Sequence, residues 1–112
     1  MAGLNAMKDF DVVHRDLKLE NILIHYPNLP SDEKKAEEYK KNFNILERPE
    51  EFVLKIADFG FAKRVSDQEG TKTQCGTPIT MAPEVILGKG KMYRNKVDIW
   101  SVGCLFFQLI TG

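Results

Sequence analysis

The sequence predicts an α+β fold, mostly helical, with one short β-hairpin. Three observations point there. An opening segment, MAGLNAMK, has a short apolar face at helical spacing; two short apolar runs, at 22–24 and 52–59, suit strands; and VDIWSVGCLFFQLIT, 97–111, is apolar nearly all round.

The totals bound the class. A chain of 112 residues is long enough for one small domain with a core. Sixteen basic and sixteen acidic residues give a formal net charge of zero. That balance offers no long-range attraction to nucleic acid or to an anionic membrane. Two cysteines, Cys75 and Cys104, are too few for a disulfide framework and lack metal-ligand spacing. They read as free thiols in a reducing, intracellular and hence cytoplasmic setting. The N-terminus lacks a basic stretch followed by an apolar run of signal length. The apolar segment at 97–112 carries Asp98 and Gln108 and falls short of the ~18–20 apolar residues of a membrane span. It is expected to be a buried helix.

Taken in order, residues 1–8 read as the end of a helix. Next comes VVHRDLKLENILI, 12–24, which sets His14, Arg15, Asp16, Lys18 and Asn21 inside an otherwise apolar stretch. The strand-like run at 22–24 is separated from FVLKIADF, 52–59, by an insertion at 25–51 of abruptly different composition. Within it, SDEKKAEEYKKNF has Ser31 as a candidate N-cap, acids in its first turn and lysines in its last. Its apolar stripe, Ala36, Tyr39 and Phe43, is thin, so helix and solvated, disordered insertion are both open readings. From Gly60 to Glu84 the chain is rich in Gly, Thr and Ser, too polar and broken for a core element. Loops of that length without their own secondary structure are usually functional. Asp98 then stands where the last helix would start, as a candidate N-cap.

The polar residues make a chemical set. Asp16 is an acid–base candidate, Lys18 a compact cation two residues on, and Asn21 an amide oxygen donor. Asp58 supplies a second carboxylate, followed by Phe59 and by Gly60, which permits an unusual backbone turn. Two oxygen ligands at the ends of neighbouring strands suit Mg²⁺, which takes few protein ligands and completes its shell with substrate phosphates. Together these parts describe phosphoryl transfer.

HRDLKLEN, DFG and APE occur in that order, followed by DIWSVGCLFFQLITG. The set resembles the catalytic loop, metal-binding triplet, activation-segment end and central helix of the eukaryotic-type Ser/Thr protein kinases. The resemblance spans the chain apart from 25–51 and implies a partial kinase domain over 1–112, mainly the helical C-terminal lobe. It implies that Asp16 orients and deprotonates a substrate hydroxyl and that Lys18 contacts the γ-phosphate. It further implies that Asn21 and Asp58 hold Mg²⁺ and that Lys18, Asn21, Leu23 and Asp58 serve ATP. Turn capping by Asp16 and a structural amide at Asn21 are the plainer alternatives. His14 is expected to pack beneath Phe59 rather than to act in catalysis, and Asp98, besides its N-cap reading, to accept backbone donors from the catalytic loop. Lys18 and the Gly76-Thr77-Pro78 run resemble kinases of Ser and Thr, with Thr77 bridging Asp16 and Lys18; alternatively Thr77 caps a turn before Pro78.

On the same resemblance, Arg15 is expected to pair with a phosphate on the activation segment, at Thr73 or, second, at Thr71. Glu20 either holds a substrate Arg or is a solvated surface residue. Glu84 would lack its usual Arg partner and stand as an unpaired buried carboxylate. Thr80 departs from the bulky residue usual there, which leaves open the shape of the substrate-docking loop. Cys75 is either a redox-sensitive thiol or a plain small residue.

The Gly-rich loop and the strand lysine that grip ATP phosphates have no counterpart here. The expectation is a truncated reading frame, inactive alone and poorly folded, whose parent transfers the ATP γ-phosphate to protein Ser/Thr hydroxyls. The competing reading is an inactive kinase-like interaction or regulatory module. KIADFGFAK and the CGTP–MAPEVI run look similar to autophagy-initiating and calcium/calmodulin-type kinases.

Overall fold

A computed structural model describes residues 2–65, 70–88 and 92–112. Helix α1 runs Ala2–Asp9, and Lys8 in its last turn complements the helix dipole. The chain then reverses through Asp11, which adopts a left-handed φ of 55°. Strand β1, Val12–Val13, follows at once. A 3₁₀ turn at Leu19–Asn21 leads into β2, Ile22–His25. Helix α2 is Glu33–Asn42, and β3 is Val53–Ile56. Further 3₁₀ turns lie at Pro49–Glu51, before β3, and at Phe59–Phe61, before β4, Lys63–Arg64. Another, Pro78–Thr80, leads to the one-turn α3, Pro83–Ile86, and the chain closes with α4, Lys96–Thr111.

Two separate two-stranded sheets form, β1 with β4 and β2 with β3. The first is antiparallel, with Val12 opposite Arg64 and Val13 opposite Lys63. The α+β class, mainly helical with a short strand pair, is as expected. The β1–β4 pair was not legible, because two residues are too few to show an alternation.

The chain divides into two compact units, Met1–Ile22 with Ile56–Gly112, and Leu23–Lys55. In the first, Val13, Val65, Ala82, Val85, Tyr93 and Val97 form the buried core, with Met81 packed against it. Each such side chain removed from water contributes roughly 1.5–3 kcal/mol.

The second unit is ordered around aromatic rings. Tyr26 packs edge-on to Phe43 at 4.9 Å between centroids, and Tyr39 lies 5.6 Å from Phe43. The Arg48 guanidinium sits over Tyr39 at 5.7 Å and over Phe43 at 5.2 Å, and ion-pairs with Glu51. Of the two readings of the 31–43 segment, the helix is the one that forms. Its N-cap is Asp32, whose carboxylate accepts the Lys35 N–H at 3.0 Å, and not Ser31.

Helix boundaries correct two further expectations. The strand read over 52–59 ends at Ile56, because Asp58 turns left-handed. Helix α4 starts at Lys96 with Asn95 at the N-cap position, so Asp98 lies inside its first turn and does not cap it. Helix α4 is buried only along Val97, Asp98, Ser101 and Leu105. Ile99, Trp100, Phe106, Phe107, Leu109 and Ile110 are exposed, Ile110 to 82%. The expectation of a buried helix therefore holds for one face of it. Among the described residues no helix is long and apolar enough to cross a membrane.

Candidate active site

Within the segment 14–21 the polar side chains of His14, Asp16 and Asn21 are buried, and each has a hydrogen-bond partner. Arg15 takes a left-handed φ of 71°, a strained conformation for a residue with a Cβ. The buried Asp98 carboxylate holds that bend: Oδ2 accepts the His14 N–H at 2.8 Å and Oδ1 the Arg15 N–H at 2.9 Å. Burial pushes the Asp98 carboxyl above its usual value, against the pull of those two donors.

His14 is fully buried. Its Nε2 lies 3.0 Å from the Ala57 carbonyl, which only accepts, and its Nδ1 lies 3.3 Å from the Asp16 N–H, which only donates. These partners assign the ring proton to Nε2. The imidazole also packs edge-on to Phe59, with centroids 4.9 Å apart. Both nitrogens are thus occupied, and the residue is a structural hub.

Asp16 lies at the centre. Its Oδ1 accepts the Thr77 hydroxyl at 2.6 Å, and its Oδ2 pairs with Lys18 Nζ at 3.0 Å. Lys18 Nζ also donates to Thr77 Oγ1 at 3.2 Å, so the three side chains close a triangle. Burial raises the Asp16 carboxyl, but the Thr77 and Lys18 donors outweigh it and hold the group below its ordinary range. Lys18 is raised in turn, first by its hydrogen bond to Asp16 and further by the charges of Asp16, Glu20 and Asp58. Thr77 occupies the N-cap position of the 78–80 turn but makes no side-chain cap bond, because its hydroxyl is committed to Asp16.

Asn21 is buried, and its Nδ2 donates to the Asp16 carbonyl at 2.8 Å. Its Oδ1 accepts no hydrogen bond from the described residues and is not sealed from solvent. The Ala57 N–H donates to the Asn21 carbonyl at 2.9 Å, which ties Asn21 to the segment carrying Asp58. Asp58 has a left-handed φ of 58°, and one carboxylate oxygen accepts the Gly60 N–H at 3.2 Å. The other oxygen accepts no hydrogen bond from the described residues. The chemistry of this donor set fits Mg²⁺: two hard oxygens from neighbouring segments. No group of three or more His, Cys, Asp or Glu gathers at metal-binding distance among the described residues. Leu23 lies on β2 in the second unit, with its side chain exposed.

The remaining activation-segment residues divide. Arg15 Nε donates to the Phe61 carbonyl at 2.6 Å and Nη1 to Thr71 Oγ1 at 3.5 Å. Thr73 is exposed, whereas Thr71 is 1% exposed and bridged to Tyr93. Gly76 has a φ of 109°, and a Cβ there would collide with the Arg15 carbonyl oxygen. Thr80 is buried, donates to the Thr77 carbonyl at 3.2 Å, and accepts the Ser101 hydroxyl at 2.8 Å on its own carbonyl. The 78–80 turn is therefore pinned from α4. Glu84 is exposed, which overturns its expected role as a buried unpaired charge: α3 is a single turn with only Val85 facing inward. Glu20 is exposed and Cys75 partly so.

Sequence reasoning missed three partners of the site: the Phe61 and Ala57 carbonyls and Tyr93. The carbonyls are backbone groups and leave no sequence signal. Tyr93 had one, an isolated aromatic just before an apolar helix, but nothing linked it to Thr71.

Comparison with known proteins matches a family model described as the protein kinase domain to residues 1–112. Serine/threonine-protein kinase ATG1b of Arabidopsis thaliana is 39% identical over 99% of this chain and 12% of its own length. Serine/threonine-protein kinase unc-51 of Caenorhabditis elegans is 38% identical over 98% of this chain and 11% of its own. Serine/threonine-protein kinase ATG1 of Pichia angusta is 37% identical over 99% and 13%, respectively. The chain thus spans only about an eighth of the length of these relatives.

Proposed function

We propose that this chain, which belongs to the protein kinase family, carries the phosphoryl-transfer centre of a serine/threonine protein kinase. The observation that carries the reading is the Asp16–Thr77–Lys18 triangle. A carboxylate kept ionised by two donors is ready to take a proton from a substrate hydroxyl.

In this reading Asp16 orients the Ser or Thr hydroxyl and accepts its proton as oxygen attacks the γ-phosphorus of ATP and the bond to the β-phosphate oxygen breaks. Lys18, cationic and partly solvent-facing, offsets charge on the transferring group. Asn21 Oδ1 and the other carboxylate oxygen of Asp58 would hold Mg²⁺, which when bound neutralises charge on the phosphates. Leu23 is assigned to ATP on the resemblance alone. Arg15 and Thr73 are assigned to control of the segment: Thr73 is exposed to a modifying enzyme, and among the described residues the Arg15 side chain is engaged by two neutral acceptors, the Phe61 carbonyl oxygen and Thr71 Oγ1. ATP and protein Ser/Thr hydroxyls are accordingly the substrates, in a cytoplasmic setting.

The test is transfer of labelled γ-phosphate by the full-length protein containing this chain, to Ser/Thr and to Tyr peptides. Transfer to Ser or Thr that is lost in Asp16→Asn supports the reading. Transfer that survives Asp16→Asn, or that favours Tyr, overturns it.

A further inference from the structure

We infer that Tyr93 is a positioning residue for the reaction, its hydroxyl clamping the Thr71–Thr73 strip so that Thr77 stays on Asp16. The inference deepens the kinase reading, and only its activity measurement rests on that reading.

Tyr93 grips the strip at three points. Its N–H donates to the Thr71 carbonyl at 3.0 Å and its carbonyl accepts the Thr71 N–H at 3.0 Å. Its phenol donates to the Thr73 carbonyl. The ring is 6% exposed, in the core with Val13, Val65, Val85 and Val97, so the clamp stands on the rigid part of the unit. Burial pushes the Tyr93 phenol above its ordinary value, so it remains a donor throughout the neutral range.

The strip is held from its other side as well. Thr71 Oγ1 receives Arg15 Nη1 at 3.5 Å and the Thr73 N–H at 3.4 Å. Beyond Thr73, only Gln74, Cys75 and Gly76 separate the clamp from Thr77. Gly76 lies so close to the Arg15 carbonyl that the chain there cannot shift inward. Slack introduced at Thr73 has one outlet, outward, and it carries Thr77 off Asp16. The same clamp leaves the Thr73 side chain outside while its carbonyl is held.

A tyrosine that merely fills the core would be replaced by phenylalanine without consequence. Tyr93→Phe keeps the ring and both backbone bonds and removes the hydroxyl, with its bond to Thr73 and its contacts to Arg15 and Cys75. In the full-length protein containing this chain, amide exchange over 72–77 is measured together with kcat and KM. The expected result is exchange about tenfold faster and a several-fold lower kcat with KM for ATP unchanged. Thr77→Val should lower kcat likewise but leave exchange at Thr73 as in the wild type. An unchanged exchange rate in Tyr93→Phe overturns the inference. A normal kcat beside faster exchange also overturns it. A wild-type protein that transfers no phosphate defeats the kinase reading instead, and exchange still decides the clamp.

Discussion

The carboxylate of Asp98 accepts the backbone N–H groups of His14 and Arg15 at 2.8 and 2.9 Å, across 84 and 83 residues of chain. One side chain on α4 thus fixes the bend on which Asp16 is mounted.

Replacing Asp98 by Asn leaves one acceptor oxygen for two donors and turns an NH₂ toward the other. We expect a loss of about 1–3 kcal/mol from the orphaned N–H, with faster amide exchange at His14 and Arg15. The pH dependence has a definite sign. The folded-state value of Asp98 lies above its ordinary value of 3.8, so its contribution is full below 3.8 and lost as pH rises through the folded value. Wild-type stability, compared with Asp98→Asn across that interval, should fall as pH rises; a flat difference would contradict the burial argument.

Asp16 has the opposite sign. Its folded-state value lies below 3.8, so its contribution is present above 3.8 and disappears as pH falls through the folded value. Lys18→Met removes one of its two charge-stabilising donors. The Asp16 midpoint, followed by carboxyl NMR, should rise in that variant, and an unchanged midpoint would show that Lys18 does not hold the carboxylate.

Gly76→Ala adds a methyl group against the Arg15 carbonyl at a backbone angle that L-residues avoid. Strain of this kind costs about 1–3 kcal/mol. The expected readout is lower thermal stability and loss of the Thr77 contact to Asp16, seen as an upward shift of the Asp16 titration. Gly103, with no atom near its Cβ position, is the control: Gly103→Ala should be tolerated or mildly stabilising.

Helix α2 has ten residues, too few to persist in water alone. Its order rests on Tyr39 and Phe43 against Tyr26 and Arg48. Tyr39→Ala in the intact chain should abolish amide protection across Glu33–Asn42 and leave the amides of α4 protected. Simultaneous loss in both helices would mean that the two units do not order separately.

The exposed side of α4 predicts behaviour in solution. Phe106, Phe107, Leu109 and Ile110 together present an apolar surface that associates in water. The purified 112-residue chain should sediment as aggregates and bind no Mg²⁺-ATP, and Phe107→Lys with Ile110→Glu should shift it toward monomer. A monomeric wild-type chain with a cooperative thermal transition would refute this.

The sequence by itself determined the elements whose residues advertise their roles. The apolar purity of the 97–111 run marked α4, and the ordered HRDLKLEN, DFG and APE marked the family, whereas the acids and lysines around residues 32–41 left helix and solvated insertion both open. These signals are local, because propensity, capping and short motifs act within a few residues of chain. For Asp98 the sequence offered two roles, helix N-cap and, on the resemblance, acceptor of backbone donors from the catalytic loop; only the folded chain decided for the second, with the carboxylate on the N–H groups of residues 14 and 15. Thr73 ranked ahead of Thr71 on the resemblance alone; that Thr73 is exposed and Thr71 buried came only from the structure. The partners of Arg15, His14 and Tyr93 are mainly carbonyl oxygens, and every residue carries one of those. Only the folded chain decided which carbonyl stood within reach, and with that the mounting of Asp16, Thr77 and Lys18 as one triangle.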